Sequence, residues 1–189
     1  MRDLAEMPFA DAKAFETWLR RNYDKSPGIW MRIAKKDSGI ESVNYSDALD
    51  VSLCYGWIDG QKQKGDDDTW LQKFTPRAKR SIWSQLNRQR VARLIESKRM
   101  KAPGLAEVER AKADGRWERA YESPKDATMH PDLEAALNRN PKAQAFFATV
   151  NKANRYAILW RVQTAKRPET RAKRIAEYVD MLARGKTIH

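Results

Sequence analysis

One cysteine and two histidines in 189 residues leave little room for the commonest catalytic and metal chemistries. A lone Cys54 forms no internal disulfide, so the chain has none of the marks of a secreted disulfide scaffold. Structural zinc asks for about four Cys, His or acidic ligands, and Cys54 with the distant His130 and His189 does not supply them. A nucleophile–histidine pair needs its base within hydrogen-bond reach, yet the one internal histidine, His130, lies beside Pro131 in an irregular stretch. There is no Walker A loop and no G-x-G-x-x-G. No apolar run approaches the roughly 18 residues that span a bilayer, and Met1–Pro8 has neither the apolar stretch nor the small-residue cleavage site of an export signal. The expectation is a soluble cytoplasmic protein with no metal, no cofactor and no membrane span.

Charge is unevenly placed. The net formal charge is +12, made up of −2 over residues 1–76 and +14 over residues 77–189. Within Arg77–Lys101, nine basic residues face a single acid, Glu96. Such a stretch is either the solvated faces of amphipathic helices or a surface for nucleic acid. Arg77, Arg80, Arg88, Arg90 and Arg93 are the candidates to track a phosphate backbone, with Trp83 and Trp160 able to stack on bases. No recognised DNA- or RNA-binding motif accompanies them, so weak, sequence-independent binding is what the charge implies.

Hydrophobic periodicity divides the chain. Phe15, Trp18 and Leu19 recur at helical spacing over Asp11–Asn22, and Ser26-Pro-Gly28 stops that helix. Ile29–Lys35 alternates, which predicts a strand with one buried face. Asn44 suits an N-cap, and Gly56 ends the helix it opens. Trp57–Lys64 and Thr69–Thr75 then read as strands joined by a Gly65–Asp68 turn. From Pro76 onward the pattern is helical: Ser81 is placed to cap a helix from Ile82 to Lys98, Pro103 to open the next, and Pro131, Pro141, Asn151 and Pro168 to start four more. The fold expected is α+β, a small, mainly antiparallel sheet with flanking helices followed by an all-helical C-terminal part. Its divisions are an α+β part at 1–76, a helical region packed on it at 77–130, and a C-terminal helical subdomain at 131–189.

Four side chains stand out as a possible binding surface. Trp57, Asp59 and Gln61 share one face of a strand at period two, and Trp70 stands on the next strand. An aromatic surface carrying a carboxylate and an amide suits a polar organic ligand; a core tryptophan with polar groups at its rim would give the same pattern. Cys54, near a helix C-terminus and beside Asp50 and Asp59, reads as a buried, inert thiol, because a reactive thiolate needs positive potential. Asp66, Asp67 and Asp68 lack calcium-loop spacing and read as a solvated turn.

Ser42–Asp50, Cys54–Gln61, Trp70–Arg77, Ser81–Ser84 with Asn87, Gly104–Lys112, Asp114–Trp117, and Ala165-Lys166 with Glu169–Arg171 together resemble the YdeI/OmpD-associated family of bacterial proteins, also labelled bacteriocin-protection proteins. The resemblance implies a link to the cell envelope, to antimicrobial-peptide resistance or to stress. It brings no reaction, cofactor or catalytic residue with it, and the missing export signal sets this chain apart from members described as periplasmic. The leading expectation is thus a non-catalytic protein binding a small polar ligand or a protein partner, of unspecified oligomeric state. The alternatives are a nucleic-acid-binding protein using the basic half and an enzyme with Asp59 or Asp50 as base.

Overall fold

The computed structural model describes residues 4–189. Among them are eight helices and one four-stranded sheet, divided into two compact units. The first runs up to Ser81 and adds Asn87–Glu118; the second is Ile82–Leu86 with Arg119–His189. The architecture is α+β with an all-helical C-terminal part, as the periodicity predicts.

The first unit is built on the strands β1 (Glu6–Pro8), β2 (Ile29–Ala34), β3 (Trp57–Lys64) and β4 (Thr69–Pro76), in the order β1-β2-β4-β3. β4 pairs antiparallel with both β2 and β3. β1 runs parallel to β2 and was not expected; at three residues it is too short to show alternation. In β2, Ile29, Met31 and Ile33 are buried and the residues between them are half-exposed. Directly across on β4, Phe74, Gln72 and Trp70 share their face.

Two helices cover that face. α1 (Ala12–Asn22) is capped by the Asp11 carboxylate, which accepts the Ala14 N–H at 2.7 Å. It sets Phe15 against Phe74, ring centroids 5.9 Å apart, and Trp18 edge-on to Trp57 at 5.8 Å. α2 (Tyr45–Cys54) starts where Asn44 accepts the Asp47 N–H and ends before Gly56, whose φ of 74° is left-handed. Ala48, Leu49 and all of Val51–Cys54 are buried, because α1, β3 and a later helix at Ala102–Ala113 all pack on α2.

The helix expected from Ile82 begins three residues later, as α3 (Gln85–Glu96). Ser84 pairs with Tyr121 in a parallel bridge and the Tyr121 carbonyl accepts the Gln85 N–H, so the backbone before Gln85 is held extended. α4 (Ala102–Ala113) follows, with Pro103 in its first turn. It crosses α2 so closely that a Cβ on Gly104 would stand 2.6 Å from the Leu53 carbonyl oxygen.

The second unit holds α5 (Pro131–Asn138), α6 (Pro141–Thr149), α7 (Lys152–Gln163) and α8 (Pro168–Ala183). Its own core joins Leu133, Leu137, Phe147, Ile158, Val162, Ile175 and Leu182. The segment before α5, residues 119–130, is fastened to α7 by the Tyr156 hydroxyl, which donates to the Glu122 carbonyl at 3.0 Å. No helix among the described residues is long and apolar enough to cross a membrane.

Candidate ligand-binding site

Trp57 and Asp59 lie on the same face of β3, opposite Pro76 and Phe74 of β4. They meet different surroundings. Trp57 is 1% exposed and its indole N–H donates to the Tyr23 carbonyl at 2.9 Å, so it belongs to the core beneath α1. Asp59, one step outward, is half-buried and accepts the Tyr45 hydroxyl at 2.7 Å. The Tyr45 ring in turn stands 6.1 Å from that of Trp70, which is also half-buried. Tyr45, in the first turn of α2, therefore joins Asp59 to Trp70.

Gln61 is not part of this row. A β-bulge between Asp59 and Lys62 adds one residue to β3, so that Lys62 comes opposite Gln72 and Lys64 opposite Trp70. The buried Gln72 amide clamps the bulge, donating to the Gly60 carbonyl at 2.9 Å and the Gln61 carbonyl at 3.2 Å. The Gln61 side chain is exposed, and Lys62 takes the place expected for it: its Nζ stands 4.1 Å from the Trp70 ring centroid. Lys62 was missed for want of one signal, the isolated Gly60 within a strand pattern.

An open groove of about 660 Å³ begins at Trp70. Lys35 and Lys36 from the end of β2 line it, together with Lys62, Lys64 and Thr69. The Lys35 ammonium donates to the carbonyls of Asp66 and Asp67, at 3.1 and 2.7 Å. Of the three turn acids, Asp66 is more than solvated: its carboxylate accepts the Thr69 hydroxyl and N–H, both at 2.7 Å, and pairs with Arg32 at 2.9 Å. The Thr69 hydroxyl, followed by the backbone N–H groups and Arg32, holds the Asp66 carboxyl below its ordinary range. Among the described residues no three His, Cys, Asp or Glu side chains are grouped to hold a metal ion.

The five arginines of the basic stretch do not form one open surface. Arg77 is buried, and its backbone N–H donates to the Gly56 carbonyl. Arg90 pairs with Asp50 at 2.7 Å, and Arg88 lies over the Trp117 ring at 5.2 Å. Arg80 and Arg93 are exposed. Cys54 is buried, and burial pushes its thiol up to about 11.

Two family models match the chain. Residues 7–107 match a domain of unknown function (DUF8412), and residues 126–185 match the family described as bacteriocin-protection, YdeI or OmpD-associated. The stretches between Ser42 and Asn87 that carry the resemblance fall within the first match, and Ala165–Arg171 falls within the second. No curated protein and no solved structure matches.

Proposed function

From the premise that the chain belongs to the family of the 7–107 domain and carries the bacteriocin-protection, YdeI or OmpD-associated domain at 126–185, we propose that it is a non-catalytic binding protein of the cytoplasm, acting in a stress or bacteriocin-protection response. Its ligand seat is the rim formed by Asp59, Tyr45 and Trp70, of which Trp70 lines the groove. The observation that carries this is the Tyr45 bridge, which joins the Asp59 carboxylate to a half-exposed indole, Trp70, that itself lines about 660 Å³ of open volume. Small-molecule clefts run to about 300–1,000 Å³ and carry few, well-placed polar groups. A concave seat of that size favours a small ligand over a protein partner. The burial of Arg77 and the engagement of Arg88 and Arg90 within the fold leave the nucleic-acid reading with less support.

The test is a thermal-shift screen of small polar compounds against the native protein, Trp70→Ala and Asp59→Asn. At least one compound should raise the Tm of the native protein and lose that effect in both variants. A screen without hits, or with hits indifferent to both substitutions, refutes the reading.

A further inference from the structure

We infer that the groove beside Trp70 takes a small phosphorylated aromatic molecule of the mononucleotide class. This rests on the binding-site reading above and adds the chemistry of the occupant. Four ammonium groups, those of Lys35, Lys36, Lys62 and Lys64, line the groove, and no carboxylate is among its described lining residues. Asp59 lies outside the lining of the groove, with its carboxylate accepting the Tyr45 hydroxyl. The Asp66 carboxylate is engaged by Thr69 and Arg32, and Lys35 reaches only the carbonyls of Asp66 and Asp67. Among the described residues no ion pair engages Lys36, Lys62 or Lys64. Like charges gathered in a concave site repel one another and raise the local concentration of anions. A single carboxylate would neutralise a fraction of this charge; a di- or polyphosphate matches it better, and lysines serve phosphate as mobile point charges.

The aromatic part follows from Trp70. Its ring is half-exposed, and the group now over it is the Lys62 ammonium, 4.1 Å from the centroid. An arriving phosphate draws that flexible side chain away and frees the indole face for a planar ring, which stacking favours. One movable residue thus links the anionic and the flat halves of the ligand. The cavity volume of about 660 Å³ admits a single nucleotide.

Isothermal titration calorimetry of the full chain tests this with four probes: ADP without magnesium, adenosine, inorganic pyrophosphate, and a single-stranded DNA of about ten nucleotides, a length a groove-tracking site would cover. ADP should bind at least about tenfold tighter than adenosine or pyrophosphate, because each lacks half of the contacts. Lys62→Glu/Lys64→Glu, at exposed positions, should weaken ADP about tenfold or more while circular dichroism stays native, and Trp70→Ala should do the same. Adenosine binding as tightly as ADP, and lost in Trp70→Ala, would overturn the anionic class and leave the Trp70 seat standing. Pyrophosphate equal to ADP and indifferent to Trp70→Ala would overturn the aromatic half and the seat with it. DNA binding more than about 100-fold tighter than ADP, with a steep salt dependence, would replace the mononucleotide by nucleic acid. No binding of any probe would overturn the inference, while the thermal-shift screen decides the seat separately.

Discussion

A thiol reagent added to the folded protein at about pH 8 should find Cys54 nearly silent. The side chain ends α2 at 3% exposure, and its thiol is raised from 9.0 to about 11. Burial is the main cause. Arg99 pulls the value down, Glu16 and Asp50 push it up, and Lys101 lowers it slightly. At that pH about 0.1% of the native thiol is thiolate, against about 10% in the unfolded chain, so ionisation alone slows labelling about 100-fold. Limited access slows it further. The same shift makes stability depend on alkaline pH. The unfolded thiol loses its proton around 9.0 and the folded one around 11, so the folded state holds the extra proton in between. The contribution is therefore fully present below pH 9 and lost as pH rises through 11, up to about 2.7 kcal/mol in all. Lysines and tyrosines also titrate there, so the readout is a difference: urea-derived stability of the native protein minus that of Cys54→Ala. That difference should fall by about 2 kcal/mol between pH 8.5 and 10.5. A flat difference, or native labelling within about tenfold of the unfolded rate, would refute the assignment of Cys54 as a buried neutral thiol.

Other consequences are as direct. Arg90→Ala strands the half-buried Asp50 carboxylate, which it reaches at 2.7 Å, and should cost about 1–3 kcal/mol in urea denaturation; an unchanged midpoint would mean the pair contributes nothing. Gly104→Ala gains helix propensity of about 1 kcal/mol but forces α4 off the Leu53 carbonyl. Overpacking should win, for a net loss and a lower Tm, and a higher Tm would contradict the close crossing. The Asp66 carboxyl lies below 3.8, so the Thr69 amide proton that donates to it should shift in NMR with an inflection under pH 3.8. The hairpin turn is pinned above that pH and released as pH falls through the inflection; an ordinary carboxylate titration at Thr69 would show the bond to be absent.

How far the sequence shows all this depends on how local each cause is. Alternation in Ile29–Ala34, the Asn44 cap and the Gly56 stop are written in neighbouring residues, and each is found where it was expected. The start of α3 is not, because Tyr121, far along the chain, holds Ser84 and Gln85 by backbone pairing that Ser81 cannot announce. Cys54 was expected to be buried and inert with acids beside it; burial is the largest cause of its raised thiol, and Arg99, which local sequence does not bring to it, pulls the other way. Trp57 and Asp59 share a face as period two requires, yet periodicity assigns faces and not depth, and only the packing of α1 separates a core indole from a rim carboxylate. Beyond Asp59 the period itself breaks. Gly60 is a residue for which a strand has little other use, and a bulge there moves every later side chain of β3 to the opposite face. Counting through it without that correction selects Gln61 and Gln63. Counting with it selects Lys62 and Lys64, the two cations that β3 brings to Trp70. The charge of the groove was thus present in the sequence, hidden by one extra residue.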